Sequence, residues 1–158
     1  MFRKIRKVKN ELSPERTREV LHKAARGVLS IHGDDGYPYG LPLNYVYDEE
    51  NQALYFHGTK TGYKIDCIKK DPKACFTAIL EEGISEDGWS KNTASVVAYG
   101  LVEEIEDQEF ARAVMINLAK KYYPNMELVD ENMAASFKYT KMLAFHIAYM
   151  TGKKVNER

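Results

Sequence analysis

Lys60 and Lys64 stand four residues apart in "YFHGTKTGYKIDCIKKDP", residues 55–72, where a strand-like half gives way to a helix-like half. Like charges at that spacing repel by roughly 0.2–0.5 kcal/mol, and the positive end of a helix dipole disfavours cations. The surrounding run, His57-Gly58-Thr59-Lys60-Thr61-Gly62-Tyr63-Lys64, adds hydroxyls and the free N–H groups of a helix start. Together these are the chemistry of an anion site, most naturally for a phosphate. A dianion held between two ammonium groups turns their repulsion into the reason for their pairing. The alternative is two solvated lysines on an exposed helix start, and the residues by themselves leave the two readings level. The phosphate loop G-x-x-x-x-G-K-[ST] is absent, because the glycines and lysines here have the wrong spacing.

The other reactive side chains offer less. His22, His32, His57 and His146 are scattered without ligand spacing, which argues against a metal. Cys67 and Cys75 make no C-x-x-C pair and read as buried, reduced thiols, one in the helical half of the opening stretch and one in an apolar strand. Taken alone, His57 reads as a cap at a strand end, Trp89 as a packing anchor in its loop, and His146 as a core or interface residue. No nucleophile with an adjacent base and no acid–base pair stands out.

The elements that must position the lysines follow from periodicity and turn chemistry. "LSPERTREVLHKAARG" starts a helix with Ser13 as N-cap, Pro14 at its first position and Glu15 in its first turn, and Gly27 lies past its end. Val20, Leu21, Ala24 and Ala25 form one apolar face, so this helix lies outside a core. "GVLSIHGDDGYPYGLPLNYVYDEENQALYFHG" reads as three strands, divided at Asp34-Asp35-Gly36 and at 48–52. Pro38 and Pro42 assign the second of these to a sheet edge or a bulge, with backbone groups free to meet something else. Strands at 73–82 and 93–106 flank the Gly- and Ser-rich linker that holds Trp89. A helix over 107–123, with Phe110, Val114, Leu118 and Tyr122 on one stripe, stops at Pro124. "NMELVDENMAASFKY" is ambiguous between a short helix and a loop, and "MLAFHIAYMTGKKV" alternates as a sixth strand. Short turns between long, sparsely charged strands favour an antiparallel sheet that curls on itself. The expected fold is mainly β, a six-stranded antiparallel barrel with helices packed outside it.

At 158 residues the expected organisation is a single domain over 1–158, with residues 1–12 as a basic N-terminal arm. Lys+Arg and Asp+Glu balance at 23 each, so net charge gives no case for nucleic acid or an anionic membrane. In the arm, Arg3, Lys4, Arg6, Lys7 and Lys9 are read as a solvated end rather than a nucleic-acid contact. No stretch approaches the ~18–20 apolar residues of a membrane span, and no apolar segment follows the first charges as in a signal peptide. The expectation is a soluble, cytoplasmic protein. Tyr37, Tyr39, Tyr45, Tyr47 and Tyr55 give an aromatic strand surface whose density points to a dimer face.

"YGLPLNYVYDEENQALYFHGTKTGYKIDCIKKDPKACF" followed by "SVVAYGLVEEIED" resembles the flavin-binding split-barrel superfamily, and within it the nitroimidazole-resistance family, relatives of pyridoxamine-5′-phosphate oxidase. The resemblance runs over about residues 24–107 and more loosely over the last strand. It rests on P-L-N-Y, Y-F-H-G, G-x-K before D-P, and S-V-x-x-x-G in combination. It implies a homodimeric split barrel with two FMN sites across the subunit interface, FMN being expected ahead of FAD. Lys60 and Lys64 then match the groups that hold the FMN phosphate, assisted by Thr59 and the N–H groups near Gly62. Pro42, Leu43, Asn44 and Tyr45 match the strand along the isoalloxazine ring, its backbone meeting the ring's pyrimidine edge and N5 side. His57 and Gly58 line the same pocket, with His57 as the catalytic candidate beside the flavin. Ser95 and Val96 match a strand that borders the flavin, from either subunit, and Trp89 is a further candidate for stacking on flavin or substrate. The implied activity is an FMN-dependent oxidoreductase acting on a small molecule, of which nitroimidazole reduction is one outcome. The redox chemistry belongs to the flavin, which explains the missing acid–base pair. True pyridoxamine-phosphate oxidase fits less well, since an Arg-rich C-terminal signature is absent and "TGKKVNER" is a poor substitute. The rivals are a flavin-storing or flavin-sensing protein without turnover, and nucleic-acid binding through "FRKIRKVKN".

Overall fold

The computed structural model describes residues 2–157 of the chain; of the span 1–158 expected to form one domain, Met1 and Arg158 lie outside the described residues. In chain order the elements are α1 (Pro14–Lys23), β1 (Gly27–His32), β2 (Pro38–Leu43), β3 (Val46–Asp48), β4 (Ala53–Thr59), α2 (Tyr63–Lys70), β5 (Lys73–Ile84), β6 (Lys91–Glu104), α3 (Gln108–Tyr122), α4 (Met126–Ser136) and β7 (Thr140–Glu157). α1 starts as its sequence dictates: Ser13 Oγ accepts from the Arg16 N–H at 3.2 Å, and Pro14 takes the first helical position.

The strands form one antiparallel sheet in the order β2-β1-β5-β6-β7-β4-β3. There are seven strands rather than the six expected, because the second expected strand divides in two. Its first half, β2, pairs with β1, and its second half, β3, pairs with β4. These are the two opposite edges of the sheet, and only Asn44 and Tyr45 separate them in sequence. Three Cα steps of ~3.8 Å cannot exceed about 11 Å, so the sheet must curl until its edges almost meet. Among the described residues no ladder joins β2 to β3. The result is a curled sheet with an open seam. Pro38 and Pro42 lie on the β2 edge, where a missing N–H costs no ladder bond.

Two cores follow from the alternation of side chains along β4. Leu54 and Phe56 point into the curl with Leu29, Ile31, Phe76, Val96 and Phe145, and α1 and α2 close its ends with Val20, Leu21, Ile65 and Ile68. Ala53 and Tyr55 point outward to Val114, Met115 and Leu118 of α3, with Val129 and Met133 of α4 above. Val114 and Leu118 are buried as the stripe predicted, but Phe110 is 43% exposed and meets the Tyr55 ring edge-on. The ambiguous segment is α4, capped by Asn125 Oδ1, which accepts from the Leu128 N–H at 3.0 Å.

Other expectations are corrected by burial. Tyr45, Tyr47 and Tyr55 are packed in the chain's own cores, so they cannot form a dimer face; Tyr39 packs half-buried against the inner core and the Tyr63 ring, and Tyr37 is exposed. His146 is not a core residue: its side chain is half exposed and contacts Glu103 Oε1 at 2.7 Å. Cys67 is a buried free thiol as expected, whereas Cys75 is only half-buried. The cations of the arm are solvent-exposed, but its backbone is docked, with Phe2 stacked on Tyr99 and Tyr149 and the Leu12 N–H donating to Gly152 O at 2.9 Å. No described helix is long and apolar enough to cross a membrane.

Candidate functional site

α2 begins at Tyr63, directly after the turn that follows β4. Its N-cap, Gly62, has φ 126°, a conformation that side chains resist, and no side chain caps the first turn. The helix therefore presents uncapped N–H groups beside Lys60 and Lys64. Lys69 and Lys70 at its other end have carboxylate partners, Glu104 at 3.1 Å and Asp34 at 3.4 Å. Lys60 and Lys64 have none among the described residues. Lys60 is exposed. Lys64 is half-buried, and burial pushes its pKa below the usual lysine value. Its ammonium lies over Gly58, where an added Cβ would come within 2.6 Å of Lys64 Nζ. The site thus holds a desolvated cation in a cradle that a side chain at position 58 would fill. An anion there would offset the cost of burying that charge. Thr59 is less available than expected, because its hydroxyl donates to Thr61 O at 2.7 Å.

One residue back along β4, His57 faces the α3 side and lines a cavity of about 280 Å³. Asn44, Thr140, Met115, Leu118 and Tyr122 share that lining. Burial of the ring lowers the His57 pKa and the Lys64 charge lowers it further, although its outer edge is exposed. A neutral imidazole is favoured, able both to accept and to donate a hydrogen bond.

The seam between the sheet edges borders this cavity. Asn44 Oδ1 accepts from Arg26 Nε at 2.9 Å. The Tyr45 N–H donates to Tyr122 Oη at 2.9 Å, and that hydroxyl faces Ala25 O at 2.6 Å and Tyr45 O at 3.0 Å. Lys121 Nζ donates to Ala24 O at 2.9 Å and lies 4.0 Å above the Tyr45 ring. The last turn of α3 thus clasps the seam. Tyr45 itself is 0% exposed and its hydroxyl donates to Leu21 O at 2.6 Å. The expectation that its backbone meets a ligand edge is therefore modified: both backbone groups are already engaged by Tyr122. Pro42 lies exposed on the outer face of β2, and Leu43 packs half-buried against the inner core.

The remaining expected residues are not brought to this cavity within one chain. Along β7, the partner of Ser95 is Lys153, eleven positions beyond Met142, the partner of His57. Val96 is 0% exposed, its side chain committed to the inner core. Trp89 sits in the β5–β6 turn and is 63% exposed, so it is no packing anchor. Asp87 Oδ1 holds that turn by accepting from the Trp89 and Ser90 N–H groups. Among the lining residues that sequence reasoning missed are Met115, Tyr122 and Thr140. Tyr122 was legible only as part of an apolar stripe. Its hydroxyl, one turn from a helix stop and with unpaired backbone to satisfy, was the available signal.

A curled antiparallel sheet with an open seam, an uncapped basic helix start and an imidazole-lined cavity beside them defines a class of small split-barrel proteins. Residues 13–154 match the family model described as pyridoxamine 5′-phosphate oxidase, and the chain belongs to that family. Among solved structures it is similar to a candidate 5-nitroimidazole antibiotic resistance protein from Bacteroides thetaiotaomicron, at 23% identity and TM-score 0.76, covering 92% of this chain and 87% of that one. It is also similar to an FAD-binding protein from Mesorhizobium loti, at 22% identity and TM-score 0.65, covering 92% and 96% of the two chains. A conserved hypothetical protein from Mycobacterium tuberculosis shares 16% identity at TM-score 0.73, with 95% and 90% covered. At these identities the likeness is one of fold. No curated protein matches the chain.

Proposed function

We propose that the chain is a single-domain, cytoplasmic flavoprotein oxidoreductase that binds FMN ahead of FAD. The observation that carries this reading is the pair Lys60 and Lys64, without carboxylate partners among the described residues at a helix start no side chain caps, with Gly58 leaving room for the Lys64 ammonium. A phosphate monoester concentrates two charges on one group, which suits two adjacent ammonium groups better than the diester phosphates of FAD. When bound, the flavin would supply the two-electron redox chemistry that the side chains lack. Lys60 and Lys64 would neutralise the phosphate, and the N–H groups after Gly62 would donate hydrogen bonds to its oxygens. His57, held neutral, would orient a substrate or ring edge by accepting one hydrogen bond and donating another.

Dimerisation belongs to the same proposal, on a different surface from the tyrosines. The outward residues of β1, β5 and β6 include Val28, Ser30, Cys75, Thr77, Val97 and Leu101, an almost uncharged face that no helix covers. Exposed faces of this kind mark interfaces. Ser95 lies on it, so a second copy is what would carry Ser95 to a partner's flavin. Trp89, exposed at the hairpin tip, is proposed for the same contact.

Within the family, pyridoxamine phosphate is the poorer fit as substrate. That substrate needs a second phosphate site, and 151–157 continues as β7 without an arginine cluster.

The test is to purify the protein, reconstitute it with FMN, and follow absorption during anaerobic addition of NADH or NADPH. Bands near roughly 370 and 450 nm that bleach, and return with a nitro compound or quinone as acceptor, are expected of a flavin oxidoreductase. Stable bands without turnover would make it a flavin-holding protein. No bound flavin would refute the reading.

A further inference from the structure

The geometry points to Tyr122 as an exchangeable clasp: its hydroxyl occupies the backbone edge at Tyr45 until a ring bearing a –CO–NH– edge displaces it. The inference rests on the flavin reading for its ligand but on this chain's own hydrogen bonds for its form. Tyr122 Oη accepts from the Tyr45 N–H at 2.9 Å. Its single hydrogen can serve Ala25 O at 2.6 Å or Tyr45 O at 3.0 Å, but not both at once. One hydroxyl therefore stands where two partners are wanted, a carbonyl to take the N–H and a donor to reach the carbonyl. A ring with adjacent C=O and N–H groups, such as a cyclic amide or imide, supplies both.

The position of Tyr122 makes the exchange local. The side chain lines the cavity shared with Asn44 and His57, so a ring held there lies against it. Asn44 and Tyr45 are the only residues between the two sheet edges, and their backbone lies outside both ladders. Releasing the hydroxyl therefore breaks no strand pairing. Lys121, bonded to Ala24 O and stacked over Tyr45, keeps the end of α3 attached while Tyr122 turns. The clasp closes the seam and is a competitor of the ligand.

The test compares wild type and Tyr122→Phe by titration of apoprotein with riboflavin, which carries the imide edge without the phosphate. Tyr122→Phe keeps the ring and removes the competing hydroxyl, so riboflavin should bind about 5- to 10-fold more tightly. Amide exchange adds a readout that a merely structural tyrosine would not give. In apo Tyr122→Phe the Tyr45 N–H should exchange faster than in wild type, and riboflavin should restore its protection. Equal or weaker binding by the variant overturns the clasp while leaving the flavin reading intact. Failure of both proteins to bind riboflavin or FMN overturns the flavin reading, and the clasp with it. Should the variant fold poorly, wild type labelled with ¹³Cζ-tyrosine decides the matter: riboflavin must shift the Tyr122 signal, and an unmoved signal contradicts the exchange.

Discussion

At the scale of single residues, the site depends on what is missing beside a charge. Gly58 has no side chain where a Cβ would meet Lys64 Nζ at 2.6 Å, and its backbone needs no left-handed conformation. Gly58→Ala should therefore leave unfolding by urea almost unchanged, because the lysine end can swing aside. FMN binding should weaken by about 1–2 kcal/mol, roughly 5- to 30-fold in Kd, with riboflavin unaffected. A large loss of stability with equal losses for both flavins would mean that Gly58 serves the sheet rather than the anion. Lys121 gives a second, pH-dependent prediction. Burial brings its pKa down to about 8, from 10.5 in the open chain. Below pH 8 both folded and unfolded states carry the proton, and the folded state bears the full cost of burying it. Between pH 8 and 10.5 only the unfolded state keeps it, so stability contributed at this position rises with pH. Measured by urea unfolding, wild type should gain on Lys121→Met from pH 7 to pH 10. A flat difference would show that the ammonium is better solvated than its packing implies.

At the scale of elements, sequence reading reached those parts of the fold set by local chemistry and stopped where distant chain segments meet. Ser13 and Pro14 announced α1, Pro38 and Pro42 announced an edge strand, and the runs 73–82 and 93–106 announced the strands that became β5 and β6. The division between β2 and β3 was not legible. Nothing in "LPLNYVYD" marks Asn44 and Tyr45 as the crossing from one sheet edge to the other, because the crossing is defined by pairing with β1 and β4. For the same reason the tyrosines were assigned to a surface. Their density along the strands suggested a shared face, while Tyr45 is buried against α1, which precedes it in the chain, and Tyr55 is covered by α3, which follows far beyond it. The candidate site divides likewise: the lysine cluster is local and legible, whereas the cavity wall from α3 and β7 is not. Curling of the long strands relies on the irregularity between Tyr99 and Gly100 in the β6–β7 ladder. A Cβ on Gly100 would stand 2.0 Å from His146 O, a backbone atom that cannot swing away. Gly100→Ala should cost roughly 1–3 kcal/mol of stability, the scale of an overpacked core. An unaltered urea midpoint would show that the bulge can absorb a methyl group.

At the scale of the whole molecule, the proposed flavin site takes Ser95 from a second copy, since the β7 partners of Ser95 and His57 lie eleven positions apart within one chain. Sedimentation should give twice the 18.1 kDa chain mass. Val97→Glu, on the uncharged outer face of β6, should shift the protein towards monomer and weaken FMN binding together, and a monomer that kept full affinity would remove the shared site. The central claim, that the lysine pair exists for a phosphate, has its most direct test in one titration. Apo wild type and Lys64→Ala are each titrated with FMN and with riboflavin, following quenching of flavin fluorescence. Loss of one charge-assisted contact should weaken FMN by roughly 1.5–3 kcal/mol, about 10- to 100-fold in Kd. Riboflavin, which lacks the phosphate, should bind both proteins alike, and apoprotein stability should hold level or rise as a repelled cation leaves the helix start. Equal losses for the two flavins, or no loss for either, would contradict the assignment of Lys60 and Lys64 to the phosphate.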